Sequence, residues 1–317
     1  MQKLQTGVRW TYMIFGTTFS HRQARLFHLD PLKTLENLLT YKFDSIRLCS
    51  YWKEIEKEKG IYDFSATEEL VDLCQTRNQK IVLTIGQKAP RWSEFHLPTW
   101  AQELSVPERH ARVLELLKKT TSYFKKYSCI THWQIENEPL DPSGPDRQII
   151  SAGFLLSEIE VVKKIDTRPI VATFWGNDPV SKNILDKIAG SVDRIGIDWY
   201  PKIWSLRKFL GPRLIKPRLL EEDMKQLLET VGKPYWITEL QAEPWKKDLH
   251  KGNSDDSSLL SAPDISQSYQ SALKIDPEAI FFWGCEYWIW KEKNGDPSYS
   301  NAIKEIVNMP LEIIPSD

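Results

Sequence analysis

Short apolar, β-branched runs alternate along this chain with longer stretches in which apolar residues recur every three or four positions. The short runs predict strands over residues 9–16, 44–49, 80–86, 130–136, 169–174, 194–199, 235–239 and 279–285. The longer ones predict helices over 31–41, 66–77, 106–127, 147–165, 180–189, 219–231, 264–275 and 301–307. In the first helix Leu32, Leu35, Leu38 and Leu39 share a face, behind Asp30 as cap and Pro31 at the first helical position. Ser65 is expected to cap the second. Eight strand-then-helix units, with no Gly/Ser or Pro-rich linker between them, predict a single (β/α)8 TIM barrel over residues 1–317. A doubly wound sheet is the competitor. It usually carries a glycine-rich phosphate turn after its first strand, and neither G-x-G-x-x-G nor G-x-x-x-x-G-K occurs.

Composition narrows the function classes. The 42 Lys+Arg and 43 Asp+Glu leave a net charge of −1, which excludes a strongly basic nucleic-acid binder. Cys49, Cys74, Cys129 and Cys285 lie far apart and away from the histidines, unlike a zinc ribbon or a disulfide scaffold. No H-x-x-x-H or related ligand spacing is present, so neither metal nor cofactor is expected. No signal-type apolar run opens the chain, and no run approaches the roughly 20 apolar residues of a membrane span, so a cytoplasmic protein is expected. The 13 Trp outnumber the 11 Tyr and 12 Phe. Flat apolar faces in that number suit either a large core or the stacking of sugar rings.

In a (β/α)8 barrel the chemistry sits where strands end. Arg47, Gln87, Asn137, Glu138, Tyr200, Glu239 and Glu286 all fall at such ends. The fourth strand runs THWQIENEP from Thr131 to Pro139, setting carboxylates and an amide side by side. Unpartnered buried charge costs several kcal/mol, so such a cluster has chemical work to do. The seventh strand runs from Pro234 into Glu239. Glu138 and Glu239 are separated by about 100 residues, the length of roughly three βα units. They therefore belong to strands four and seven, with side chains able to converge over the axis. Two carboxyls about 5–5.5 Å apart are what a retaining glycosidase needs, one as nucleophile and one as acid/base. Arg47 is placed to keep a carboxylate charged, and Tyr200 to donate to the same group.

At these residues the chain resembles clan A of the glycoside hydrolases, and the resemblance covers nearly its whole length. It implies Glu138, after Asn137, as acid/base, Glu239 as nucleophile, Asn137 on the sugar 2-hydroxyl, and Arg47 and Tyr200 as groups that orient the nucleophile. The segment from Tyr51 to Phe64 is similar to the second loop of the cellulase-type family five and of neighbouring β-galactosidase-like families. Two departures stand out: the run GIDWYP ending strand six lacks a histidine common in the clan, and strand three ends in Gly86-Gln87-Lys88 where several families place one. The resemblance also implies a tryptophan of strand eight beneath the sugar. Trp283 and Trp288 both qualify, and Trp288, nearer the predicted mouth end, is favoured.

Around this centre, Gln87 and Trp92 in the third loop and Trp245 after the seventh strand are candidate subsite residues, and Glu286 is expected to bind a hydroxyl or to pair with Arg or Lys. His21 and His96 read more simply as structural. Residues 202–218 carry Lys202, Arg207, Lys208, Arg213, Lys216 and Arg218 among apolar side chains, with no acid. This stretch packs as a lid on its own barrel, or else touches an anionic or lipid-linked glycan or a membrane surface. The expected activity is cleavage of a β-linked oligosaccharide or glycoside by double displacement. Transglycosylation by the same residues and a non-catalytic glycan-binding barrel are the alternatives. A Schiff-base aldolase would need a lysine inside the mouth, and Lys88 and Lys202 fall in loops.

Overall fold

The computed structural model describes residues 13–142, 144, 147–176, 182–207, 211–215, 220–244 and 259–309, with 203–207 and 211–215 as backbone only. Eight parallel strands close into a barrel: β1 (Ile14–Phe19), β2 (Ser45–Cys49), β3 (Lys80–Ile85), β4 (Ile130–Ile135), β5 (Ile170–Trp175), β6 (Arg194–Trp199), β9 (Tyr235–Gln241) and β10 (Ala279–Trp283). Between β6 and β9 an antiparallel hairpin, β7 (Ile203–Arg207) with β8 (Gly211–Ile215), projects as a separate two-stranded sheet. Round the barrel the order is β1, β10, β9, β6, β5, β4, β3, β2 and back to β1, so β10 stands diametrically across from β4.

Alternation along the strands decides what faces inward. Val82, Val171, Trp236, Ala279 and Phe281 form a small apolar cluster inside the barrel. Their immediate neighbours Ile81, Leu83, Ile170, Ala172, Ile237, Ile280 and Phe282 belong instead to the large core between strands and helices. Residues two or four further on, Thr173, Trp175 and Trp283, keep the inward parity and rise to the mouth.

The helices start where their caps are. Asp30 accepts from the Lys33 amide at 2.9 Å with Pro31 at the first turn, as expected. Ser65 is instead the first helical residue of Ser65–Thr76, and its amide donates to the Asp63 carboxylate at 3.0 Å. The helix predicted from residue 147 starts at Ala152, because Ser151 caps it and the preceding chain ties back through the Ile150 amide to the Pro139 carbonyl at 2.7 Å. β1 extends three residues past its predicted end, while residues 9–12 lie outside the described residues.

Strand eight is the largest departure from expectation. It stops at Trp283, and a helix, Cys285–Lys293, takes up the rest of the aromatic run. Gly284 makes the break, at φ +119°, with Glu243 so close that a β-carbon there would lie 2.6 Å from that side chain. The four cysteines are unpaired and buried. No helix among the described residues is long and apolar enough to cross a membrane.

Candidate active site

Glu239 lies near the end of β9, where a register shift sets it beside Asp198 of β6. It is 4 % exposed, and both its oxygens are engaged. Arg47, wholly buried and at the middle of β2 rather than its end, forms an ion pair with one. The Tyr200 hydroxyl donates to the other at 2.6 Å. Burial works against the Arg47 charge, but Glu239 and then Asp198 more than offset it, and its pKa is raised. Burial and Glu239 likewise push the Tyr200 phenol well above its usual range, so it remains a donor. Two donors aimed at two oxygens are the surroundings of a carboxylate rather than an acid.

Glu138 sits across the mouth in different surroundings. The chain after β4 turns sharply, with Glu136 at φ +58° and Glu138 at φ +42°. Left-handed backbone at non-glycine residues costs on the order of 1–3 kcal/mol each and persists only where neighbours impose it. Here the Asn137 amide donates to the Lys88 carbonyl at 2.8 Å and the Glu138 amide to Thr173 Oγ1 at 3.0 Å. Lys88, fully buried, donates its ammonium to the Glu138 carbonyl at 2.6 Å and the Asp141 carbonyl at 3.1 Å, with Glu94 at 3.4 Å. The sequence leaves Lys88 in a loop; the structure makes it the post on which the Glu138 turn hangs. Its hydrogens are spent on these acceptors, which is the opposite of an amine poised for Schiff-base chemistry.

Burial, then the charges of Asp198 and Glu239, raise the Glu138 pKa well above 4.5, against the pull of Lys88. Its carboxyl lies within hydrogen-bonding reach of Asp198. Asp198 is equally buried and is also raised well above its usual value, by burial and Glu239. Its Oδ1 accepts from Thr238 at 2.6 Å, and its carboxylate also accepts from the protonated Glu138. Three carboxyls thus share the mouth, and a proton stays on the Glu138–Asp198 side while Glu239 holds Arg47. Asp198 carries no motif of its own, and only its inward position beside Glu239 gives it away. Asp198→Asn removes one negative neighbour, so Glu138 should lose its proton more readily. The basic limb of kcat/KM against pH is expected to move to lower pH; a limb that stays put would take Asp198 out of this role.

Behind Glu138 lies a second acid pair. The Glu136 carboxylate accepts from the amides of Gln87 at 3.0 Å and Lys88 at 2.5 Å. Gly86, at φ +135°, leaves room for it, since a β-carbon there would collide with the carboxylate. Glu158, buried in the helix Ala152–Lys163, is held well above 4.5 by burial and Glu136, and keeps its proton as a donor to Glu136. With its folded-state pKa above the unfolded one, its contribution to stability is whole below about 4.5 and lost as pH rises toward the folded value. Each pH unit inside that window costs up to about 1.4 kcal/mol. Glu158→Gln should therefore flatten the decline in melting temperature as pH rises above about 4.5; parallel slopes for parent and variant would contradict the assignment.

The remaining sequence candidates divide. Asn137, 3 % exposed, accepts from Gln134 Nε2 at 3.2 Å, and Gln134 Oε1 accepts from Arg47 at 3.2 Å. Gln134, unread in the sequence, thereby links the two halves of the site. Gln87 is buried at the end of β3, with Oε1 unpartnered among the described residues. Trp283 faces the mouth beside Tyr200 and Trp175, a residue the sequence reading passed over. Trp288 does not: it lies on the helix after β10, 0 % exposed in the main core, with its indole N–H on the Ala242 carbonyl at 2.6 Å. The favoured sugar platform is thus a core residue, because the strand ends earlier than its aromatic run. Glu286 pairs with Arg91 and accepts the Ser20 amide, the pairing alternative rather than a free hydroxyl acceptor. Trp92 lies on the third loop, 41 % exposed. His21 and His96 are both buried, His21 at 2.6 Å from Glu54 and His96 at 3.2 Å from the Arg91 carbonyl. Trp245 and most of the basic side chains of 202–218 lie outside the described residues. Lys202, which is described, pairs with Asp264 of its own barrel.

No family model matches the chain. Solved structures do. A psychrophilic glycoside hydrolase family 10 endo-β-1,4-xylanase is similar at 17% identity over 94% of this chain and 97% of its own, with a TM-score of 0.62. GH5_18 from Streptomyces cattleya, in complex with GlcNAc, shares 14% identity over 95% of this chain and 82% of its own, at 0.66. An intracellular xylanase from Thermoanaerobacterium saccharolyticum shares 18% over 86% of both chains, at 0.55. By fold, the chain is a (β/α)8 barrel of the kind these glycoside hydrolases share.

Proposed function

We propose that the protein is a retaining β-glycoside hydrolase acting on a β-linked oligosaccharide or glycoside. The observation that carries this reading is the unequal treatment of two carboxyls in one mouth: Glu239 gripped by Arg47 and Tyr200, Glu138 buried and set against the carboxyl of Asp198, which favours its protonated form. The similar structures hold GlcNAc, Manβ1-4GlcNAc and xylotriose, ligands of the same chemical class.

In the first half-reaction Glu239 attacks the anomeric carbon, the glycosidic C–O bond breaks, and Glu138 gives its proton to the departing oxygen. Charge leaves Glu239 as the ester forms, which relaxes its grip on Arg47. Glu138, now a carboxylate, takes a proton from water, whose oxygen displaces Glu239 and restores both groups. Two inversions leave the configuration unchanged.

The test is a panel of 4-nitrophenyl β-glucosides, galactosides, mannosides and xylosides, with the first-formed sugar followed by proton NMR. A β-anomer as first product is the expected result. An α-anomer would replace double displacement by single displacement, and no release from any glycoside or β-linked oligosaccharide would end the hydrolase reading.

A further inference from the structure

The loop after β3 crosses the mouth. Arg91, 8 % exposed, pairs through its two terminal nitrogens with Glu243, just beyond β9, and Glu286, just beyond β10. Its guanidinium lies 4.0 Å from the centre of the Trp283 ring and so covers one face of that indole. Beneath this tie the loops after β1 and β2 form a packed layer. The Ser20 amide donates to Glu286, the Ser20 and Tyr51 hydroxyls lie 2.6 Å apart, and Tyr51 donates to the Pro90 carbonyl at 3.2 Å. His96, kept neutral by burial and the nearby cations Lys53 and Arg22, packs edge-on to Tyr51, ring centres 4.5 Å apart. Ser20, Tyr51, Arg91, His96, Glu243 and Glu286 are buried.

The position of this roof has a chemical meaning, given the hydrolase reading on which it rests. The acid protonates the departing oxygen, so the leaving group lies toward Glu138 at the end of β4. The sugar that Glu239 attacks therefore points its far, non-reducing end away from β4. The strand directly across the barrel is β10, where Trp283, Glu286 and the Arg91 tie stand. A second sugar on that side would have to displace a guanidinium held by two buried carboxylates.

We propose that Arg91, clamped between Glu243 and Glu286 over Trp283, closes the non-reducing side of the site and makes the enzyme release single sugars from non-reducing chain ends. Arg91 is then a specificity-determining residue. Glu243 and Glu286 position it.

A 4-nitrophenyl β-bioside of the sugar preferred in the glycoside panel separates the modes of cleavage. End-wise action gives monosaccharide and nitrophenyl monoside first, with direct release of nitrophenol and intact disaccharide at least about 100-fold slower, since the latter requires breaking a buried ion pair. Free disaccharide as a major first product overturns the proposal and leaves the hydrolase reading intact. No cleavage of monosides or biosides fails the hydrolase reading itself. In Arg91→Met combined with Glu243→Gln, Glu286 keeps its Ser20 amide and only one unpaired charge remains. Direct disaccharide release should then rise at least about 10-fold relative to monosaccharide release. Arg91→Lys keeps the charge without the two-pronged grip and serves where the paired variant does not fold, with a smaller rise. An unchanged product ratio in a folded variant, judged by circular dichroism, also overturns the proposal.

Discussion

Replacing Glu239 by Gln is expected to lower kcat/KM by about 10⁴-fold or more on every glycoside the parent cleaves. The substitution is nearly isosteric, so the loss comes from chemistry: an amide cannot form the glycosyl ester. Its carbonyl oxygen can still accept from Arg47, with the NH2 turned to the Tyr200 oxygen, but the fully buried guanidinium loses its main counter-ion. Removing one partner of such a pair costs on the order of 3–5 kcal/mol. Asp198 can offset part of this as the remaining carboxylate beside Arg47, since Glu239, one cause of its raised pKa, is gone as a charge. Thermal melts of parent and variant measure that cost apart from catalysis. Rescue separates a lost nucleophile from a damaged fold. In Glu239→Ala, azide can occupy the vacated space and attack from the same side, giving the α-glycosyl azide. Activity of Glu239→Gln at the parent level would remove Glu239 from the nucleophile role.

Glu138→Gln should behave differently. Loss of a general acid costs about 10²–10⁴-fold, and it falls on substrates whose leaving oxygen needs a proton. Unactivated alkyl glycosides and oligosaccharides should therefore suffer most, whereas 2,4-dinitrophenyl glycosides, whose phenolate leaves unaided, should form the glycosyl-enzyme at close to the parent rate. The pH profile gives a second reading. Because the Glu138 pKa is raised, the parent should hold its acid protonated above the ordinary carboxyl range and lose activity as pH rises through the raised value. In Glu138→Gln that basic limb should vanish. The turn that carries Glu138 is held by backbone groups, with Lys88 on its carbonyl and Thr173 on its amide, so the variant should keep its fold. An equal loss on activated and unactivated substrates, with the basic limb intact, would assign the acid elsewhere.

Much of this architecture is legible in the residue order. The eight strand-then-helix units, the barrel and the positions of Glu138, Tyr200 and Glu239 at strand ends follow from local pattern, because alternation and capping act over a few residues. Trp288 shows where local pattern fails. Its aromatic run reads equally as strand or helix, and a left-handed glycine in contact with Glu243, far along the chain, decides between them. Asp198, Lys88, Gln134 and Arg91 were likewise out of reach: Arg91 and Glu286 meet across 195 positions and Arg47 and Glu239 across 192. The sequence by itself determined which elements form and which polar residues stand where strands end. Which of those residues lose their water together, and so which carboxyl keeps a proton and which side of the mouth is roofed, was decided only when the barrel closed, because desolvation and ion pairing depend on distances that no stretch of chain contains.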